Sequence, residues 1–308
     1  MKRIVAVFAS ILFLPLFSAA QARAHGVIGQ RFIPSTLAVE DPFASDEMDL
    51  LTINRGPRTS EGRETGFGFE ISKRLHPDFA ISVAWEYLLV DPSDGRKIAG
   101  GANPEIGFKY VAFRSPAHEA IFSAGLNVEP GGVGAKKVAE KVTTISPALY
   151  FGKGFGDLPD ALNYLKPLAL TGTVEFGIPA NRRLAGEEDK FSTTVGYGFA
   201  LQYSIPYLQQ FVKDVGIGAP FDRMFPLLEF NFETNVNGPD RGATTAYVNP
   251  GLIWVGRYVE LGLGAQIPLN SRSGANAGVR SLVHVFLDDL WPSIFTWTPF
   301  GTIGPTQK

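Results

Sequence analysis

The segment E-T-G-F-G-F-E-I-S-K-R-L (64–75), then His76-Pro77-Asp78, then F-A-I-S-V-A-W-E-Y-L-L-V (79–90) decides the fold. In its second half Phe79, Ile81, Val83, Trp85, Tyr87 and Leu89 alternate with Ala80, Ser82, Ala84, Glu86 and Leu88. In its first half Phe67, Phe69 and Ile71 alternate with Gly66, Gly68, Glu70 and Ser72. Successive strand side chains point to opposite faces, so each strand has a large apolar face and a small or polar one. A soluble sheet can alternate too, but its wet face carries Lys, Glu and Thr. Here the second face is mostly Gly, Ala and Ser with single acids. That suits a barrel with lipid outside and a crowded polar lumen inside.

Outward from this hairpin, about twelve stretches repeat the pattern. They are Leu50–Arg58, Glu64–Leu75, Phe79–Val90, Glu105–Arg114, Glu119–Val128, Thr144–Phe155, Leu168–Ile178, Phe191–Ile205, Leu227–Val236, Thr245–Val255, Tyr258–Leu269 and Val279–Leu287. Tilted strands of about 9–11 residues cross a bilayer. An even count returns both ends to one side, as in bacterial single-chain barrels. The connections alternate as well. His76–Asp78, Ser115–His118 and Gly256-Arg257 are short. Asp91–Pro104, Glu129–Thr143, Pro179–Lys190, Asn237–Thr244 and Asn270–Gly278 are longer and rich in loop-forming residues. The expected fold is therefore all-β, a transmembrane antiparallel β-barrel of about 12 strands spanning residues 50–291.

Two connections on the short side are long. Gly156–Pro167 carries Leu162 and Leu165, and Pro206–Pro226 carries Leu208, Phe211, Val212 and Val215 at helical spacing. They predict two short amphipathic periplasmic helices. Such helices cover the lower rim or dock a periplasmic partner.

The ends of the chain differ from its middle. Lys2 and Arg3 precede an apolar run to Phe17, and Ala22-Arg23-Ala24 forms a cleavage site, so residues 1–24 read as a signal peptide. Cleavage there leaves 25 basic residues against 30 acids, a charge of −5, which excludes nucleic acid as a partner. Cysteine is absent, which excludes thiol catalysis and Cys-metal sites. Residues 25–49 show neither helical nor strand period. They form a periplasmic arm or fold back as a lumen plug. A tail at 292–308 follows the last strand and contains Phe295, Trp297 and Phe300, rings favoured at a membrane interface.

The stretch A-H-G (24–26) followed by R-F-I-P-S-T-L-A-V-E-D-P-F (31–43), the start R-E-T-x-F (63–67), P-Y-L-Q-Q-F-V-K-D-V-G (206–216) and V-H-V-F-L-D-D-L-W-P (283–292) resemble proteobacterial outer-membrane proteins of the "transporter" or meta-pathway phenol-degradation-like family. The resemblance covers most of the mature chain and implies an outer-membrane channel or uptake protein. Its motifs are structural and name no cargo.

The alternation turns Glu70, Arg74, Glu86, Lys109, Glu175, Glu229, Glu233, Glu260, Arg280 and His284 into the lumen, with Glu105, Gln202, Asn231 and Gln266. Acids outnumber bases, so a narrow pore would prefer cations. The expected function is a channel or uptake protein for small polar or hydrophobic solutes in the outer membrane, its partners being lipid and solute. If the charges pair and pack the lumen shut, the barrel is sealed or a docking platform. Inward glycines (Gly66, Gly68, Gly107, Gly125, Gly196, Gly198, Gly251, Gly262, Gly264) fit a wider bore or a close approach by the arm. A barrel hydrolase is the remote alternative. The four histidines, His25, His76, His118 and His284, show no serine–histidine–acid spacing, and G-x-S-x-G is absent. His25 could offer its amine and imidazole to copper, but a tight site needs more ligands. No enzyme activity, cofactor or metal is expected.

Overall fold

The computed structural model describes residues 26–183 and 191–300. The signal sequence 1–24, His25 and the end of the tail (301–308) lie outside the described residues. Twelve long strands form one closed antiparallel barrel. They are β3 (Glu47–Arg55), β4 (Gly62–His76), β5 (Phe79–Pro92), β7 (Glu105–Ser115), β8 (Ala120–Glu129), β9 (Thr144–Gly154), β10 (Leu168–Pro179), β11 (Thr194–Tyr203), β12 (Met224–Asn235), β13 (Thr244–Val255), β14 (Val259–Pro268) and β15 (Gly278–Phe286). β3 pairs with β4 on one side and β15 on the other, which closes the wall. Two short strands, β1 (Val27–Ile28) and β2 (Arg31–Phe32), form a separate hairpin ahead of the barrel.

The alternation sets the facing. On β5, Val83, Trp85, Tyr87 and Leu89 are 39–45% exposed, while Ala80 is buried. The same exposed apolar set runs around the barrel through Leu149 and Phe151, Phe199 and Leu201, and Leu261 and Leu263. So large an apolar surface is intolerable in water and is the lipid face of a membrane barrel. Across β11 and β12, Tyr197 stacks on Phe232 and Phe199 on Phe230, each pair with ring centroids 4.9 Å apart. Such pairs add about 0.5–1.5 kcal/mol beyond area burial. Val83→Arg on this face is expected to cost ~2–4 kcal/mol of insertion free energy. Ala84→Ser, one residue on and facing inward, is expected to be neutral in the same folding titration. Equal effects would reverse the assigned facing.

The short connections all turn at one rim, which also carries the two long ones 155–167 and 204–223. Pro77-Asp78, Pro116–His118 and 256–258 turn at the lower rim, on the side of both described ends. Four details differ from the sequence reading. The first strand is Glu47–Arg55 rather than 50–58, because a bulge between Asp49 and Thr52 interrupts the alternation. Residues 98–101, expected as loop, form β6 (Ile98–Gly101), which pairs with the upper half of β5.

The lower-rim helices are less regular than expected. Asp160–Leu165 is a 3-10 run with Leu162 and Leu165 exposed, since the seven residues between Pro159 and Pro167 are too few to sustain an α-helix. The second is α-helical over Ile205–Tyr207 and continues as a π-helix to Val212, so Val215 lies beyond its end. The barrel also ends earlier than 291, because Leu287–Leu290 turns into a short helix.

Candidate functional site: an arm inside the lumen

Residues 26–46 occupy the barrel. The arm enters at the lower rim, where Arg31 is fully buried. Its Nε donates to Glu119 Oε2 at 3.1 Å and one Nη to the carbonyl of Pro167 at 3.0 Å. The other Nη donates to the carbonyl of Lys166. The guanidinium lies 3.7 Å from the centre of the Tyr207 ring. Burial pulls the Arg31 pKa down, opposed by the Glu119 carboxylate. Glu119 sits in the left-handed region (φ 47°) at the end of the β7–β8 turn, which carries its side chain back toward the arm.

The arm then climbs one wall. Glu260 Oε2 accepts from Ser35 N at 3.1 Å. Arg280 Nη1 donates to the Leu37 carbonyl at 3.1 Å. Glu229 Oε1 accepts from Ala38 N and Val39 N at 2.9 and 3.1 Å, and Asn231 Nδ2 donates to the Ala38 carbonyl at 3.0 Å. Each bond satisfies a backbone group that would otherwise be stranded away from water. On the way down, Lys109 Nζ reaches the Asp41 carbonyl at 2.9 Å and Glu40 Oε1 at 2.7 Å. Ser123 Oγ donates to the Pro42 carbonyl, and Ser72 Oγ to that of Ser45.

Several inward glycines seat the arm, while Gly66, Gly68, Gly107, Gly125 and Gly196 face wall residues instead. A Cβ on Gly264 or Gly251 would lie 2.5 or 2.7 Å from Leu37 Cδ1, and one on Gly262 would lie 2.7 Å from Leu37 Cδ2. A Cβ on Gly198 would lie 3.2 Å from Val39 Cγ2, and one on Gly152 would lie 3.1 Å from Pro42 Cγ. Only glycine lets the apolar arm side chains lie this close to the wall.

Beside the arm the lumen keeps open space. Between the arm and β3, β4, β7 and β15 lies a cavity of about 70 Å³ lined by Glu40, Asp41, Glu47, Asp49, Glu70, Lys109 and His284, with room for a handful of waters. A smaller one of about 20 Å³ adjoins it and shares Glu40, Glu47, Glu70 and Lys109. His284 Nδ1 is 2.7 Å from Asp49 Oδ1, and its Nε2 is 3.7 Å from Glu47 Oε2. Five carboxylates thus face one lysine and one histidine. The Glu40 side chain is 43% exposed, so the chamber is not sealed at that end.

A latch closes the lower end. Lys73 Nζ holds Asp46 Oδ1 at 2.6 Å and the carbonyls of Phe295 and Trp297. Arg74 Nη2 lies 3.2 Å from Asp46 and 3.4 Å from Asp288. Burial pushes Asp288 up to about 7, with Arg74 opposing it.

The ten sequence-predicted lumen residues therefore divide. Glu229, Glu260, Arg280 and Lys109 hold the arm. Glu70 and His284 line the chamber, and Arg74 belongs to the latch. Glu86, Glu175 and Glu233 lie toward the upper rim, where Asn127 Nδ2 donates to Glu175 at 3.4 Å. Sequence reasoning missed Arg31, Glu119, Asp46, Glu47 and Asp49. Of these only Glu47 and Asp49 carry a usable signal, an acid pair spaced by two at a strand start. Among the described residues no group of three or more His, Asp or Glu is placed to hold a metal.

No family model matches the chain, and no curated protein does. The resemblance to the meta-pathway family rests on its quoted motifs alone. Among solved structures the chain is similar to the NanC porin, with a TM-score of 0.47 and 10% identity over 77% of this chain and 98% of that one. The KdgM porin gives 0.41 and 12% over 76% and 98%. The Salmonella typhi outer membrane phospholipase gives 0.39 and 12% over 85% and 98%. All are likenesses of barrel architecture, and what those proteins pass or cleave stays with them.

Proposed function

We propose that this chain is an outer-membrane channel whose lumen is narrowed by its own N-terminal arm to a path for water and small cations. The observation that carries the reading is the asymmetry of the lumen. The arm is seated directly on the glycines of β11, β13 and β14, while the β3–β4–β7 side keeps a water-sized, acid-rich chamber. Close carboxylates in a confined passage attract cations and repel anions. The rim that bears both ends of the described chain faces the periplasm.

Single-channel recording in planar bilayers tests this. The expected result is a small conductance with a cation-side reversal potential that fades at high salt, as the screening length drops below ~8–10 Å. Glu70→Gln with Glu40→Gln is expected to move the reversal potential toward zero. Glu229→Gln acts instead on the arm, because that carboxylate is bound to Ala38 and Val39. Zero current from correctly folded protein would leave a sealed barrel as the reading.

A further inference from the structure

On the outside of the barrel, the rows above the aromatics of β3, β4 and β5 carry arginine. Register puts Ile53, Phe67 and Tyr87 side by side on the lipid face. In the next row up stand Val279, Arg55, Thr65 and Leu89, the first and last of them exposed apolar residues. Arg63 follows one step further up β4, on the same face and opposite Asp91 of β5. Arg55 and Arg63 are thus diagonal neighbours on paired strands, with Cα atoms about 7–8 Å apart. At the same ends of other strands the outward residues are apolar, as at Val128, Ile145, Ile178, Val195 and Ile267.

These two guanidiniums have no partner on the wall. Among the described residues neither Arg55 nor Arg63 makes a side-chain hydrogen bond or an ion pair, and Arg63 Nε is shut off from solvent without an acceptor. The one acid on this face of these rows is already engaged. Asp91 Oδ2 accepts from Arg58 Nη2 at 3.1 Å and lies 3.7 Å from Lys97 Nζ. Glu61 and Asp94 belong to the turns above, and Glu64 faces the lumen. Tyr on a barrel exterior marks the membrane interface, so the row above Tyr87 stands at the level of the lipid headgroups. A guanidinium cannot shed its charge there. The partner that suits it is a phosphate, which its planar fork grips with two parallel bonds.

We infer that Arg55 and Arg63 form a binding site on the outside of the barrel for a phosphate group of the phosphorylated glycolipid of the outer leaflet. The two forks bracket one phosphate from adjacent strands. Arg58 and Lys97 add positive charge above it, and the acyl chains run down over Leu89, Phe67 and Tyr87. The site rests on the orientation proposed above, which turns this rim outward. It does not depend on conduction through the lumen.

The test titrates the refolded mature protein in detergent with bis-phosphorylated lipid A and counts bound lipid by native mass spectrometry. Wild type is expected to bind it at least about tenfold more tightly than the same lipid stripped of both phosphates. Arg55→Gln with Arg63→Gln should lose that preference and keep heat-modifiable migration, since neither side chain holds the fold together. Arg182→Gln with Arg183→Gln, on the connection after β10, should bind like wild type. Equal binding of the phosphorylated and stripped lipids by wild type, a result that needs no variant, would overturn the site. So would an Arg55→Gln/Arg63→Gln protein that keeps the preference. Phosphatidylglycerol bound as tightly as lipid A would reduce the site to general attraction for anionic lipid. Displacement of lipid A by an equal concentration of inorganic phosphate would make it a free-anion site, and either result overturns the proposal. Orientation is read separately. The chain has no cysteine, so Ser93→Cys at this rim should react with a membrane-impermeant maleimide on intact cells. A silent Ser93→Cys would overturn the orientation and the outer-leaflet ligand together, whereas a labelled one with no phosphate preference in the titration would overturn the site alone.

Discussion

Gly264→Phe is expected to open the barrel. The Cβ position at Gly264 is already 2.5 Å from Leu37 Cδ1, and a phenyl ring there needs the volume that Leu37 fills. The wall cannot yield instead, since the Pro250 carbonyl and the Gly251 Cα stand 3.0 and 3.3 Å from the same point. The arm must leave, and with it the bonds that Glu229, Asn231 and Arg280 make to residues 37–39. Single-channel conductance should rise sharply, with heat-modifiable migration preserved. Gly264→Ala should have a much smaller effect, because a methyl displaces the flexible end of Leu37 and only presses on the Pro250 carbonyl at 3.0 Å. Leu37→Ala added to Gly264→Phe should return the conductance part of the way. A Gly264→Phe barrel that folds and conducts like wild type would mean that the glycine seats do not hold the arm.

Arg31→Ala is expected to loosen the arm from its other end. Removing one partner of a buried ion pair costs about 3–5 kcal/mol, because the remaining charge is left buried and unpaired. At about 1.4 kcal/mol per decade, the ratio of docked to released arm should fall by roughly two to three and a half orders of magnitude. Here the stranded group is Glu119, left with two neutral donors, the Gly156 N–H at 3.0 Å and the Tyr207 hydroxyl. The Lys166 carbonyl loses the Arg31 donor at the same time, while the Pro167 carbonyl keeps the Ser204 N–H at 3.0 Å. Chymotrypsin should then cut at Phe32 and Phe43, which the docked arm protects, well before it touches the barrel. Arg31→Lys keeps a charge near Glu119 but cannot serve three acceptors in one plane, so it should fall between the two. Equal resistance of Arg31→Ala and wild type would show that the other lumen bonds suffice.

The barrel was legible in the sequence because strand facing has a period of two, and lipid and lumen ask for opposite residues. Phe79–Leu89 displays this without interruption, and its structure matches. β3 was read three residues late because its bulge places Leu50 and Leu51 side by side, both exposed, where alternation would separate them. β6 was read as loop because Ile98-Ala-Gly-Gly101 is too short to show a period. The arm was legible only as an alternative. Its order comes from partners far away in the chain, such as Arg280 for Leu37 and Glu119 for Arg31, and no local pattern encodes them. The glycines held the better clue. Their number on the inward face was noted, but which arm side chains they accommodate depends on barrel register, which twelve separate strand assignments do not supply.

The arm's place at the front of the chain bears on how the molecule is assembled. Its contacts join residues as far apart in sequence as Leu37 and Arg280, so the arm has nowhere to dock until the last strand is in place. Loop closure over such separations is slow, and the waiting segment stays in water meanwhile. Residues 31–46 suit that wait. Pro34 and Pro42 cannot donate to a strand edge, and Glu40, Asp41 and Asp46 keep the segment solvated, so it neither pairs with a growing sheet nor clusters with other chains. The arm, made before every strand of the barrel, is then the last part to dock, and its docking is the step that marks a finished barrel.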